Sequence, residues 1–391
     1  MEDDLKLLIK ESVAANMGEL KSIRTYLYEN PEVGGEEAKA CELLTITMKE
    51  HGFNVTTDFH NIDYCFKAEY DSGREGAVIG ITAEYDALPE IGHGCGHNII
   101  SAAALGAAFA LKEVVAQTEG KVMLFGTPAE ENFVSKVQLS DEGAFDEADV
   151  VMTVHPSPEN YASGKTNVMD ALQVEFFGKA AHAGANPEDG INALDAAVHF
   201  YTLIGFEKQY LKGANIYGIF DDGGQKCSII PDHASLKYVL RAGTLKETEK
   251  IRAVFERCAE AAAEAVGATY KISRYEPINL NMVTNRTISG VFNKYYEELA
   301  CCKMEYRDST ASTDMGNVSH VVPAIHPWIG LDCPDLMLHS REFAEVTVTA
   351  AGDAAIRNGA QALAMTGAEI LSSPELLAEI KAEFEEAKTG F

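Results

Sequence analysis

The spacing of apolar positions changes rhythm twice along the chain. Leu5, Leu8 and Ile9 recur at helical spacing, and that pattern runs on to Tyr28 before Pro31 stops it. Glu36 to His51 predicts a second amphipathic helix, closed by Gly52. Strand-like runs follow at 54–58, 65–70 and 77–85, and Asp71-Ser72-Gly73 predicts a hairpin joining the last two. From residue 77 the order becomes strand, loop, helix: an apolar strand at 77–83, an Ala-rich helix at 98–117, then strands at 121–126 and 149–154. Apolar strands alternating with helices predict an α/β domain with a mainly parallel sheet covered on both faces.

After Asn167 strict alternation replaces the continuous apolar runs. The pattern predicts a strand at 172–177, a helix at 192–211, strands at 216–220 and 236–240, a helix at 247–266 and a strand at 270–275. This is the split βαβ, ferredoxin-like order of a small α+β domain. Residues 169–281 therefore read as an insertion into a domain built from 1–168 plus 282–391. That domain resumes with a helix at 288–300, a strand at 325–331, an Ala-rich helix at 343–364 and a charged helix at 374–388.

Composition narrows the functional classes. The chain has 391 residues, 46% of them hydrophobic, which is ample for two cores. Its net charge of −28 repels phosphate backbones and anionic lipid, so neither nucleic acid nor a membrane surface is an expected partner. No window is expected to reach the roughly 18 apolar residues of a spanning helix, and the first residues are acidic where a secretory signal is basic and then apolar. The eight cysteines are scattered without paired spacing, which predicts a reducing, cytoplasmic setting. No Gly-rich phosphate loop follows a strand.

Candidate chemistry gathers where predicted strands end. The strand at 77–83 leads into Asp86 and then the run Gly92-His93-Gly94-Cys95-Gly96-His97. The strand at 121–126 leads into Glu130-Glu131, and the strand at 149–154 into His155. In a parallel sheet those ends share one edge, where α/β proteins bind ligands. An extended 92–97 segment would project Cys95 and His97 to one side, a thiolate and imidazole pair suited to zinc or another borderline-soft ion. A Gly-rich helix entry with a buried thiol, and Cys95 as a nucleophile activated by a histidine, are the competing readings. The adjacent carboxylates of Glu130 and Glu131 read either as a solvated loop or as a ligand beside a general base. His339 precedes Ser340, a helix-cap residue. His182 lies among small residues, and Arg241 ends an apolar strand where it needs an anionic partner.

The strings AEYDALPEIGHGCGHN (83–98), GTPAEEN (126–132), VHPSP (154–158), GKAAHAG (178–184), DGGQKCSIIPD (222–232), STDMGNVSHVVPAIHP (312–327) and HSREF (339–343) resemble, in order, the di-metal aminoacylase, carboxypeptidase-G and hippurate hydrolase peptidases. Within them the chain is most similar to the branch of the aminobenzoyl-glutamate hydrolases and the Xaa-Arg-type dipeptidases. The resemblance implies two divalent ions per subunit, manganese or zinc, with nickel or cobalt as alternatives. It implies Cys95 as the bridging ligand, His97 and His155 completing one site, and Glu131 and His339 the other. Glu130 would be the general base, Asp86 would orient an imidazole, and His182 would reach the partner subunit's oxyanion. Arg241 would bind the substrate carboxylate, and Asp314 and Gly316 would line the substrate pocket. The insert would act as lid and dimerisation domain of a homodimer. Ser228 stands where relatives carry Asn, which alters a substrate contact, and Asn98 stands where hippurate hydrolases carry Asp. The implied reaction is hydrolysis of the amide bond of an N-acyl, N-aroyl or aminoacyl amino acid with a free carboxylate. The alternative is a metal-dependent ligand-binding relative without catalysis.

Overall fold

The structure, a computed structural model, describes residues 3–389 apart from Phe133. The chain divides into two compact units. One comprises Met1–Lys165, Met282–Ser309 and Thr313–Gly390, and the other Thr166–Asn281 with Thr310–Ser312.

Among the described residues, the main sheet of the larger unit has six strands, in the order Asn54–Thr57, Phe66–Asp71, Lys121–Gly126, Val78–Ala83, Val150–Met152, Ala324–Ile325. The first two pairings are antiparallel and the remaining three parallel, so the sheet is mixed. The expected hairpin across Asp71 is not formed. Asp71 does make a tight turn, its Oδ1 accepting the Gly73 N–H at 2.7 Å. The strand Lys121–Gly126 lies between the two flanking strands, antiparallel to Phe66–Asp71 and parallel to Val78–Ala83. Val78–Ala83 is almost wholly buried and thereby takes a central position with parallel neighbours on both sides.

Helix His97–Gln117 crosses one face of this sheet and packs between helices Asp3–Glu29 and Ala350–Leu371. It is long and apolar enough by composition to span a membrane, contrary to the expectation that no window is. The helix is instead an interior element, and small residues let its neighbours approach. A Cβ on Gly106 would stand 2.8 Å from Leu20 Cδ1 and 3.0 Å from Ala360 Cβ.

Two elements expected to be continuous are broken. The strand expected at 325–331 is interrupted at His326-Pro327: Ala324–Ile325 joins the main sheet, while Trp328–Gly330 pairs in parallel with His155–Ser157 in a separate small sheet. Proline has no N–H to continue a ladder. The helix expected at 343–364 is two helices, Arg341–Thr347 and Ala350–Leu371, with Thr349 capping the second. At the break Arg24 Nη1 donates to Thr347 O at 2.9 Å and to Thr349 O at 3.4 Å, and Thr349 O also accepts the Asp353 N–H at 3.1 Å.

The smaller unit is a four-stranded antiparallel sheet in the order Thr269–Arg274, Val168–Phe177, His233–Ala242, Asn215–Asp222, covered by helices Ala193–Glu207 and Leu245–Val266. Its core, including Leu172, Val174, Phe176, Phe200, Tyr238 and Phe255, is separate from that of the larger unit. The helix expected to reach residue 211 ends at Glu207 and passes into a 3-10 turn.

Candidate metal centre

Three neighbouring parallel strands deliver the site. Val78–Ala83, Lys121–Gly126 and Val150–Met152 run in one direction, so their C-terminal ends lie along one edge of the sheet. The first leads to Glu84, Asp86 and the Cys95 loop, the second to Glu130 and Glu131, and the third to His155. The Cys95 loop is not extended. Gly96 has φ +85 and caps the long helix, of which His97 is the first residue. A Cβ on Gly96 would lie 2.3 Å from Pro156 Cγ, so only glycine lets the loop sit against the residue after His155. His339 comes from a loop far along the chain, with φ +63, and its N–H donates to Gly94 O at 2.9 Å.

The buried Glu37 carboxylate accepts the Gly35 N–H at 2.8 Å and the Ala129 N–H at 2.6 Å. Ala129, held at φ +59, precedes Glu130 directly, so this clamp sets where the Glu130-Glu131 pair begins. Burial and the nearby Asp86 charge raise the Glu37 carboxyl to about 7.

The chain brings six donors into overlapping groups whose ligand atoms lie within 4.8 Å of one another: Cys95, His97 and His155; Cys95, Glu131 and His339; and His97, Glu130 and Glu131. Cys95 Sγ is 3.3 Å from His155 Nε2, and Glu131 Oε1 is 3.3 Å from His339 Nε2. The first group is buried, whereas His339 is exposed.

The hydrogen bonds around the imidazoles determine what can bind. His97 Nδ1 lies 2.9 Å from Asp86 Oδ1, so it carries a proton toward that carboxylate. Its Nε2 is buried without a hydrogen-bond partner. His155 Nδ1 lies 2.7 Å from the Pro156 carbonyl, which likewise leaves the Nε2 lone pair facing Cys95. An imidazole with Nδ1–H given to an acceptor and Nε2 bare is the form that ligates a metal. Asp86 also accepts the Glu131 N–H at 3.0 Å, so one carboxylate orients donors from two strand ends.

In the protein alone, the charges in the cluster are balanced against burial. Burial lowers His155 to about 3, helped by His326. Burial also pulls on His97, but Asp86 and Cys95 outweigh it and hold that imidazole above its ordinary range. Burial and the Glu131 charge push the Cys95 thiol well up, which opposes a free thiolate nucleophile. Burial, then Glu131 and Glu84, raise Glu130 well above the usual carboxylate range. Burial raises Glu131, but His339 and His97 reverse the effect and hold it low. A cation placed among these groups would relieve the carboxylate repulsion and stabilise the thiolate. Cys95, His97 and His155 could thus hold one divalent ion, and Cys95, Glu131 and His339 a second.

Asp314 does not line an open pocket. It is fully buried and paired with Lys136, whose Nζ is 2.6 Å from Asp314 Oδ1 and 2.9 Å from Glu84 Oε1. A buried ammonium needs such counterions, and burial alone would lower Lys136, yet Asp314 and Glu84 hold it above the ordinary lysine range. Gly316 is enclosed in the short helix that follows. Sequence reasoning missed Glu84, Lys136, Glu37 and the buried His326, which stands 5.3 Å from His155 between ring centroids.

In the smaller unit, His182 is exposed and bridges to Ile229, and the neighbouring Ser228 carbonyl accepts the Ala183 N–H at 3.0 Å. The Gly184 N–H donates to His182 Nδ1 at 3.2 Å, which leaves Nε2 as the protonated nitrogen of the neutral ring. Arg241 is bonded to the Tyr217 hydroxyl at 2.7 Å, Ser312 Oγ at 3.1 Å and the Thr310 carbonyl at 3.3 Å. These partners and Met169 Sδ, at 3.4 Å from Nη2, are neutral, while the Arg241 charge acts on the Glu276 carboxyl and opposes the rise that burial causes there.

Replacing Gly96 with Ala forces a side chain onto Pro156 at a positive φ. Zinc titration of Gly96→Ala is expected to show about a 10–100-fold loss of affinity at a centre that still folds, as circular dichroism would verify.

Comparison with known proteins agrees with this arrangement. The profile of peptidase family M20/M25/M40 matches residues 80–366. The Xaa-Arg dipeptidase of Mus musculus is 35% identical over 402 residues, covering 96% of this chain and 92% of that protein. A polypeptide of the p-aminobenzoyl-glutamate hydrolase of Escherichia coli is 30% identical over 317 residues, covering 75% and 64%. In fold, the chain is similar to the aminobenzoyl-glutamate utilization protein of Klebsiella pneumoniae, with TM-score 0.72, 17% identity and coverage of 91% and 98%. It is also similar to a Bacillus subtilis protein described as a dinuclear metal binding peptidase, with TM-score 0.67, 19% identity and coverage of 92% and 99%. A matched segment spanning the strand ends, Cys95, the Glu130-Glu131 pair and His339 makes this chain a member of peptidase family M20/M25/M40.

Proposed function

We propose that the protein hydrolyses the amide bond of an N-acyl, N-aroyl or aminoacyl amino acid bearing a free carboxylate, at a two-metal centre bridged by Cys95. The observation that carries this reading is that two donor groups share Cys95, with Glu130 beside them and not needed by either. His97 and His155 would complete one ion's ligands, and Glu131 and His339 the other's. Bound divalent ions would supply Lewis acidity and an acidified water. Manganese or zinc suits the mixed carboxylate, imidazole and thiolate donors, with nickel or cobalt as alternatives.

The chain's own groups supply the rest. Glu130 is pushed up by burial and by Glu131, which suits a group that takes a proton from the attacking water and returns it to the leaving amine. Asp86 keeps His97 and the Glu131 backbone aligned. His182 would reach the partner subunit's oxyanion and donate to it through Nε2–H. Arg241, whose hydrogen-bond partners are neutral, would take the substrate carboxylate, and Ser228 beside the His182 segment would offer a substrate contact. The named relatives act on an Xaa-Arg dipeptide and on p-aminobenzoyl-glutamate, both of which end in a carboxylate.

The insert would serve as lid and dimerisation domain. Its edge strand Asn215–Asp222, paired on one side with His233–Ala242 and on the other with no strand among the described residues, exposes Tyr217, Ile219 and Phe220, and the adjoining helix exposes Val198, Tyr201 and Phe206. A bare strand edge beside such an apolar face favours pairing with a second copy.

Glu130→Gln is expected to keep its metal content by elemental analysis while turnover falls about 10²–10⁴-fold. Retained turnover would refute the assignment of the base. Arg241→Met should raise KM about tenfold or more for N-acyl amino acids and leave their C-terminal amides unaffected, as charge-assisted bonds to the carboxylate are lost. Ile219→Asp should convert a dimer to a monomer in sedimentation equilibrium and reduce activity with it. A wild-type monomer with full activity would remove the dimer from the proposal.

A further inference from the structure

The Lys136 ion pairs are not needed by any step above, yet they lie directly behind the candidate metal centre. Glu84 directly follows the strand Val78–Ala83 and is buried. Its Oε2 is 3.4 Å from His97 Nε2. Two donors each about 2.0–2.2 Å from one tetrahedral ion lie about 3.3 Å apart, so Glu84 is at ligand spacing from His97. Even so, Glu84 belongs to none of the three donor groups that the described residues form. Its other oxygen, Oε1, is 2.9 Å from Lys136 Nζ.

Lys136 cannot easily follow Glu84 toward the cluster. Asp314 holds it twice, through the ammonium at 2.6 Å and through the Lys136 N–H at 3.2 Å. Both side chains of the Lys136–Asp314 pair are fully enclosed, where a single buried ammonium facing two carboxylates is a stiff restraint. A catalytic metal site needs a coordination position open to water and substrate. A third carboxylate would fill that position and bind the ion more tightly.

We propose that Lys136 is a positioning residue that, anchored by Asp314, holds the Glu84 carboxylate off the metal beside His97 and so keeps a coordination position open. This inference rests on the two-metal reading above and adds a part to it. Lys136 acts through Glu84, and its effect on metal affinity is opposite in sign to that of a purely structural residue, whose loss would loosen the centre.

Calorimetric titration of the metal-free protein with zinc, alongside thermal melts, tests it. Lys136→Met combined with Asp314→Asn removes the restraint without leaving Asp314 as an unpaired charge. This variant is expected to bind zinc about tenfold more tightly while kcat falls. Adding Glu84→Gln should return the affinity to that of the wild type. Glu84→Gln alone should leave zinc affinity within about threefold, because Glu84 is not a ligand in the intact protein. Unchanged or weaker binding in the first variant would overturn the proposal, as would a tenfold weakening by Glu84→Gln alone. If the wild-type protein binds no zinc, the metal-centre reading fails with it. Two equivalents bound by the wild type with no tightening in the variant defeats this inference only.

Discussion

The candidate centre depends on one carboxylate with two commitments. Asp86 takes the Nδ1 proton of His97 and the backbone N–H of Glu131, and so ties the loop after one strand to the loop after its neighbour. Its backbone carbonyl, 3.0 Å from His97 Nδ1, reinforces the tautomer, and the Glu37 clamp on Ala129 sets the start of the Glu130-Glu131 pair from the other side. His155 solves the same problem with the carbonyl of the next residue, Pro156. The result is a buried pair of imidazoles whose Nε2 atoms face the cluster, that of His97 without a hydrogen-bond partner and that of His155 beside Cys95 Sγ.

Charge balance explains why the cluster is arranged in layers. Glu84, Asp86, Glu130, Glu131 and Asp314 bring acid into a small volume, and Lys136 is the buried cation set against Glu84 and Asp314. Glu37 is used differently: it spends its lone pairs on the Gly35 and Ala129 N–H groups and fixes a backbone turn.

Much of this was legible in the sequence because the informative signals are local. Alternating glycines around His93, Cys95 and His97, carboxylates after an apolar strand and a histidine at a strand end each carry their meaning in a few residues. The parallel strands that gather them were legible from the same apolar runs. What was not legible depends on partners far away in sequence. The missing hairpin at Asp71 reflects Lys121–Gly126 taking the place between two strands. The break at 348–349 has no proline or glycine to announce it, and is stabilised by Arg24 on the first helix. Lys136 is one lysine in a short helix, and its role depends on Asp314, 178 positions away. At 92–97 the helix entry was one of the readings open in the sequence, but the close contact of Gly96 with Pro156 was not.

The long interior helix has a further consequence. Its first residue, His97, is tied to Asp86, and the preceding Gly96 is wedged against Pro156, whereas its last turn at Ala116 and Gln117 is exposed. Helices ordinarily fray at both ends, but this one is free to do so only at the end remote from the cluster. Amide protons should therefore exchange with solvent in a one-sided gradient along it, slowest in the turns that follow His97.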